Sequence, residues 1–472
     1  MAKDEQNTQS RDIRSELKEE HRLRSKVANE IMVTRWFKKM SQQELANAVG
    51  TQKSSISRIE KGDQNITVDY LEVIAEAMNK QVSFLMEDPK VSYGDDSVYY
   101  LKLYDEKLVK FRMIRGVGLT AELLEVNEDL KHLFPVDLEL TGEGIIQWLR
   151  KRTVPKGREL IGNVLKALGL NLGDLKGIVD ISMSLSLNDS YWVSQTGFKK
   201  SFSEVNLYQN KFDEILSIIA YVGHGTEKDS YGTTPELTTD GMLRKGWSYS
   251  PTRGIWLYKS GTSGFANTGN EPFCEVYASQ VADRMGLHHV KYELENYHGI
   301  LASKCKLFTD INTSYVPAER VVKTGGIQAC LDFYKELGDS FYQELASMLV
   351  FDAVILNEDR HFGNFGLLRD NHTGRFVDPA PVFDNGVSLL CYGMKQDLTD
   401  HLQDYIESRT NPYGDNNQFI DLAKRVMGPK QKEELRRLIG FKFTDNTICD
   451  LPSWRLRILE DVIQKRVQQL LK

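Results

Sequence analysis

The chain has only five cysteines in 472 residues: Cys274, Cys305, Cys330, Cys391 and Cys449. They are odd in number, far apart and form no CxxC pair, which excludes a disulfide framework and a zinc ribbon and points to a reducing compartment. No apolar run approaches the ~18 residues that a membrane span needs. The first residues, Met1 to Gln6, lack the apolar stretch of a signal peptide. A cytoplasmic protein with no membrane partner is therefore expected. Charge of one sign is scarce too. A formal net charge of −6 gives no global attraction to nucleic acid.

What remains is ordinary globular material, 41% apolar and 27% charged, with length for two or three domains. Charge is patterned rather than abundant. Between residues 35 and 62, Arg35, Lys38, Lys39, Lys53, Arg58 and Lys61 face only Glu44 and Glu60, a local excess of +4. Residues 1–18 read as a disordered tail. Helical periodicity then runs through Leu23, Val27, Ile31 and Trp36-Phe37. Ser41 and Glu44 have capping-box spacing. Leu45, Ala46 and Val49 supply the buried face of a short helix that Gly50 ends. Thr51 to Ser54 opens a second helix through Ile56 and Ile59 to Gly62. Thr67 opens a third, with Val68, Leu71, Ile74, Ala75 and Met78 facing inward.

Helix, glycine turn, helix is the helix-turn-helix plan. A small bundle used for protein contact or dimerisation would share it. The run from Ser41-Gln-Gln-Glu-Leu-Ala through Val49-Gly50-Thr51 to Ile56-Ser-Arg-Ile-Glu60 resembles the Xre/Cro-like repressor family. In that family the second helix enters the major groove. The resemblance implies that Gln52, Lys53, Ser54 and Arg58 face DNA and that Gln42 holds a phosphate. One module makes few contacts, so a homodimer on a two-fold operator is implied.

After a polar link at 87–97, Val98 to Tyr104 and Leu108 to Ile114 read as a hairpin. Helical patterns follow near 143–151 and 158–168, and Ser186 to Trp192 reads as a packed turn. From Glu236 the pattern becomes strand-like. Glu236 to Trp247 reads as a glycine hairpin, and Gly254 to Gly261 as a buried strand carrying one lysine, Lys259. A loop rich in Gly and Ser leads to a helix from Glu275 to Met285, capped by Gly286. Phosphoryl transfer needs such parts: a strand lysine on the α/β-phosphates, a helix glutamate to hold it, and backbone amides covering the phosphates. Lys259 and Glu275 suit the pair; Thr239 and Gly241 lie in the covering segment. A lone strand lysine is otherwise a solvated edge residue. Gly299 to Phe308 reads as a strand leading to an adenine-contacting hinge, with Lys306 and Phe308 near the base.

Asp359-Arg-His-Phe-Gly-Asn364, followed by Pro381-Val-Phe-Asp384-Asn-Gly386, carries the chemistry. A kinase needs one carboxylate on the attacking hydroxyl, then an amide oxygen and a second carboxylate on Mg²⁺. Mg²⁺ takes hard oxygen ligands, which Asn364 and Asp384 can supply beside phosphates and water. Asp359 is left for the nucleophile. The alternative is a polar turn whose Asp and Asn cap backbone. The setting favours the first reading: an apolar helix from Phe341 to Leu356 delivers the loop, and a hairpin turning at 370–374 separates it from Asp384.

Together these residues resemble the HipA-like serine/threonine kinases, toxins whose usual partner is a separate Xre-type repressor. The likeness is loose over 96–472 and resides in motifs over 236–390. It implies an α+β chain, with an all-α helix-turn-helix domain followed by a bilobal kinase-like fold, β-rich in its N-lobe and α-rich in its C-lobe. Implied boundaries are 19–88 for the DNA-binding domain, 96–225 for an N-terminal subdomain, 226–310 for the N-lobe core and 311–472 for the C-lobe. Also implied are ATP and Mg²⁺, catalytic Asp359, metal ligands Asn364 and Asp384, and the ATP anchors Lys259 and Glu275, with phosphorylation of a protein Ser or Thr. Family members autophosphorylate a serine-bearing glycine-rich loop; this chain has Thr238 and Thr239 there instead. Arg360-His361 also resembles the D-R-H-x-x-N loop of phosphoinositide kinases, which keeps lipid or small-molecule substrates open. The expectation is a protein kinase fused to an autorepressor, a single-chain toxin–antitoxin-type regulator. Its rivals are a transcription factor with a nucleotide-sensing pseudokinase domain and a small-molecule kinase with a DNA-binding head.

Overall fold

Two compact units divide the chain, residues 1–93 and 94–472. The computed structural model describes residues 27–28, 30–36, 38, 40–80, 82, 97–115, 118–171, 173–225, 232–264, 267–413 and 419–472. The tail read at 1–18, Leu23, Phe37, Lys39 and the polar link at 87–96 lie outside the described residues.

In the first unit, helices Gln42–Ala48, Lys53–Glu60 and Val68–Ala77 follow one another. Ser41 Oγ accepts from Glu44 N at 3.1 Å, and Glu44 Oε2 accepts from Ser41 N at 2.6 Å, completing the capping box. Thr67 caps the third helix by accepting from Tyr70 N. Gly50 (φ 72) and Gly62 (φ 76) take the left-handed backbone that ends the first two. Ile31, Leu45, Ala46, Ile56, Ile59, Ile74 and Met78 close a small core. Val68, expected inside, is 58% exposed, because it opens its helix and the apolar stripe is fully covered only from Ile74 onward.

The second unit is α+β. β1 (Ser97–Leu103) and β2 (Glu106–Arg115) form the expected hairpin. β3 (Leu119–Val126) pairs with β2, and β4 (Tyr191–Gln195) joins the other side of β1, giving the order β3-β2-β1-β4. Tyr191 and Trp192 thus belong to a strand and not to a packed turn; β1 offers them a free edge, which no local pattern reveals. Helices Gly142–Lys151 and Ile161–Ala167 stand where the periodicity places them.

A second sheet, β5 (Lys245–Ser250), β6 (Gly254–Ser260), β7 (Tyr292–Tyr297) and β8 (Ile300–Lys306), has the order β5-β6-β8-β7. Its hairpins are β5–β6 and β7–β8. The expected hairpin at 236–247 is absent: Pro235–Leu237 is a 3-10 turn and a loop follows. The carbonyls of Glu236 and Thr239 accept from buried Arg158 instead of from a strand partner. The next helix, Glu271–Met285, opens at Glu271 rather than Glu275, with Pro272 in its first turn and Gly286 (φ 84) as its cap.

β9 (Thr313–Pro317), β10 (Gly366–Asp370) and β11 (Phe376–Pro379) form the third sheet, in the order β11-β10-β9. Helix Asp339–Ile355 is buried throughout from Leu345 to Ile355. Helices Phe419–Val426, Pro429–Arg436 and Ser453–Leu471 surround it in the largest apolar core. Burying each such Leu or Phe contributes about 1.5–3 kcal/mol, which makes this helix a rigid mount for the loop at its end. Beyond Asp384 every described element is helical. No described helix is long and apolar enough to cross a membrane.

Candidate functional site

Helix Asp339–Ile355 stops because Leu356 turns left-handed (φ 56). Asn357 Oδ1 then accepts from Asp359 N at 3.1 Å, and His361 N donates to Asp359 O at 2.8 Å. Asn364 Nδ2 donates to the same Asp359 carbonyl at 2.9 Å. A carbonyl can only accept, so the amide must present its NH₂ there. Its Oδ1 is left without a hydrogen bond among the described residues. Asp359 keeps its surface open to solvent. Its carboxyl is nonetheless raised above the ordinary range by desolvation; His361 opposes that shift and the Asp384 charge adds to it.

Arg360 joins this loop to the next. The side chain is fully buried, pairs with Asp352 at 3.1 Å and donates to the carbonyls of Asn364 and Phe383 and to Asn385 Oδ1. One guanidinium fork therefore fixes both turns, Asp359–Asn364 and Phe383–Asn385. The likeness to lipid kinases at Arg360 rests on a residue used up in packing. Asp384 itself has φ 56, a strained backbone for a residue with a Cβ, held by Arg360 and by its own N–H on Tyr292 Oη at 3.1 Å.

Three expected residues converge here. Lys259 Nζ, on β6, donates to Glu275 Oε1 at 2.9 Å and to Asp384 Oδ1 at 2.5 Å. Glu275 Oε2 accepts from Asn385 N at 2.7 Å, so this carboxylate braces both the lysine and the Asp384 turn. Burial favours neutral Asp384, but the Lys259 and Lys245 ammonium groups outweigh it and hold the carboxyl far below its usual value. Burial likewise opposes charge on Lys259, while Asp384 and Glu275 more than compensate and keep it an ammonium. Glu275 is raised by desolvation, with Lys259 resisting.

Lys245 is the residue that the sequence reading passed over. It lies directly opposite Lys259 in the β5–β6 register, hence on the same face. Its Nζ donates to Asp240 O at 2.6 Å. Burial, with Lys259 adding, pushes its pKa down to about 8. Two cations thus border Asp384.

The other expected nucleotide contacts are scattered. Thr239 Oγ1 is turned inward, donating to Pro235 O at 2.7 Å and accepting from Trp247 Nε1 at 2.8 Å. Gly241 takes the left-handed backbone (φ 93) that favours glycine, and Lys245 Nζ lies against it. Phe308 packs against Phe383, ring centres 5.2 Å apart and planes tilted by 38°, and so lies near the Asp384 turn. Lys306 is not gathered with them. It pairs with Trp256, an odd number of residues from Lys259, and so lies exposed on the opposite face of the sheet.

The donor set suits a magnesium–nucleotide group. Asp384 Oδ2 and Asn364 Oδ1 are oxygens without hydrogen bonds among the described residues. Two protein oxygens, the rest water and phosphate, is the usual Mg²⁺ arrangement. Two buried ammonium groups match polyphosphate charge.

In the helical unit, Gln52, Lys53, Ser54 and Arg58 are all exposed along helix Lys53–Glu60 and its cap. Gln42 is half-buried and its Nε2 donates to Glu60 Oε2 at 2.7 Å. Glu60 also takes Arg35 in a buried two-pronged pair at 2.6 and 2.9 Å. Arg35 and Glu60 cancel, and among the described residues the remaining positive charge of 35–62 resides on exposed Lys38, Lys53, Arg58 and Lys61.

Residues 38–85 match the helix-turn-helix family model. No curated protein matches the chain. Among solved structures, the Helicobacter pylori proinflammatory kinase CtkA is 17% identical, with a TM-score of 0.39, covering 50% of this chain and 93% of that one. A Shewanella oneidensis MR-1 toxin–antitoxin HipA, solved with HipB and its operator DNA, is 10% identical. Its TM-score is 0.48, and the match covers 79% of this chain and 97% of that one. At these scores neither likeness extends past partial agreement in chain trace. The chain joins a helix-turn-helix domain to an α+β unit.

Proposed function

We propose that residues 94–472 are a Mg·ATP-dependent kinase for a Ser or Thr hydroxyl of a protein. The helix-turn-helix unit binds an operator as a homodimer and represses transcription in the cytoplasm. The observation that carries the kinase reading is Lys259 held between Glu275 and Asp384, with the Asp359–Asn364 loop tied to the Asp384 turn through Arg360.

When bound, Mg·ATP supplies the phosphoryl group and screens its charge. Lys259, set by Glu275, and Lys245 present ammonium groups to the phosphates. Asn364 and Asp384 offer oxygens to the metal. Backbone amides of the loop bearing Thr239 and Gly241 cover the phosphates, and Phe308 borders the base. Asp359, its carboxyl raised by desolvation, orients the incoming hydroxyl and accepts its proton.

Incubation of the full chain with γ-labelled ATP, Mg²⁺ and cell lysate tests this. Label in protein, sensitive to acid-stable phosphoserine or phosphothreonine analysis, is expected. Label in a small molecule instead would make the chain a metabolite kinase. Nucleotide binding without transfer would make it a nucleotide-sensing transcription factor.

A further inference from the structure

The segment between helices Gly142–Lys151 and Ile161–Ala167 has no part in the chemistry above, yet it runs as a splint along the loop from Glu236 to Lys245. Val154 N donates to Leu237 O at 2.8 Å, and Glu159 N donates to Met242 O at 2.9 Å. Glu159 Oε1 accepts from Arg244 Nε at 2.6 Å. At its centre is Arg158, 3% exposed. Arg158 Nη2 donates to Glu236 Oε2 at 2.9 Å and to Lys245 O at 3.0 Å. Arg158 Nη1 reaches Glu236 O at 3.3 Å and Thr239 O at 3.4 Å. Glu236, itself fully buried, accepts Trp247 N on its other oxygen at 3.0 Å.

One guanidinium therefore touches the start, middle and end of the loop, and its carboxylate partner reaches past the end into β5. A loop without strand pairing has many shapes and closes at little enthalpic gain. Fixing its carbonyls removes that freedom and sets the course of the backbone, along which Thr238 N donates to Pro235 O and Gly241 N to Asp240 Oδ1. The Lys245 backbone is fixed by the same fork, which sets where its ammonium can reach.

We propose that Arg158 is a positioning residue that holds the 236–245 loop in the shape that covers the nucleotide phosphates. The inference rests on the kinase reading and specifies a part of it that lies outside the reacting groups. Arg158 acts through the loop and touches neither metal nor phosphate. Its effect falls on the polyphosphate and not on the adenosine, because the loop meets only the former.

The test compares ATP with adenosine binding, by titration, in the full chain and in two variants. Arg158→Lys keeps the charge but cannot span four acceptors. Because it strands part of buried Glu236, a second variant, Arg158→Met with Glu236→Gln, removes both charges together and spares the fold. Expected in both is a loss of ATP affinity on the order of tenfold with adenosine affinity unchanged. Faster hydrogen exchange of the 238–244 amides is expected beside unchanged exchange in helix Asp339–Ile355. In turnover, KM for ATP should rise more than kcat falls. ATP affinity equal to wild type in the double variant would overturn the positioning role while leaving the kinase reading standing. Absence of ATP binding in the wild-type chain would overturn both.

Discussion

Lys259 Nζ lies 2.5 Å from Asp384 Oδ1, closer than its 2.9 Å contact with Glu275. The cation assigned to the phosphates and the carboxylate assigned to the metal neutralise one another. Mg²⁺ and the phosphates carry the opposite charges, so each can take one member of that pair with little reorganisation of charge. Glu275 stays behind to keep the lysine placed.

Asp384→Asn is expected to abolish Mg²⁺-dependent phosphotransfer, a fall of at least ~10²–10³ in kcat. The fold should persist, since the amide fills the same volume and Lys259 keeps Glu275. Phosphotransfer and circular dichroism measured side by side decide the matter. Turnover retained in a folded variant would strip Asp384 of its role.

Arg360 carries a stability prediction rather than a catalytic one. Both Arg360 and Asp352 are buried, and removing one member of such a pair leaves an uncompensated charge, at about 3–5 kcal/mol. Arg360→Ala should lower the urea midpoint accordingly. Arg360→Lys should recover little, because a single ammonium cannot reproduce the planar fork that serves two turns. An unchanged midpoint for the alanine variant would show that the two turns do not depend on this residue.

These cases show what the sequence makes legible. Asp359, Asn364, Asp384, Lys259 and Glu275 stand out in the sequence because few residue types suit the chemistry proposed for them, and the structure brings Lys259, Glu275 and Asp384 into contact. Helix caps at Ser41 and Thr67 were readable because they are local. Arg360 is visible as a letter in a motif, but its burial depends on Asp352, the one carboxylate in the buried stretch from Leu345 to Ile355, which is the signal to follow. Lys245 needed the β5–β6 register, and Arg158 with Glu236 joins residues 78 positions apart. β4 pairs with β1 across a similar gap. Long-range pairing leaves no periodicity in a sequence, so these parts were out of reach.

Lys245 yields a pH dependence. Its folded-state pKa is pushed down to about 8, chiefly by burial and then by Lys259. Phosphates favour the ammonium form, so affinity for ATP is at full strength below that value. It should fall as pH rises through about 8, by at most ~tenfold per unit. Lys245→Met should bind ATP more weakly and lose the decline between about pH 8 and 9.5. Equal slopes in wild type and variant, measured with Mg²⁺ held constant, would place Lys245 away from the phosphates.

In the helical unit, Arg58 and Lys53 are exposed on the helix that the family plan sends into the major groove, whereas Arg35 is consumed by Glu60. The two kinds of contact separate by experiment. Arg58→Ala is expected to weaken operator binding by ~1–3 kcal/mol and to relax discrimination between operator sequences, as loss of a base-edge contact does. If each protomer of a dimer neutralises roughly three phosphates, log K against log[salt] falls with a slope of about −5. A phosphate contact removed from both protomers would reduce that slope by about two; a base contact would leave it nearly unchanged. Unaltered affinity and unaltered discrimination in Arg58→Ala, across a salt series, would mean that some other face of this unit meets DNA.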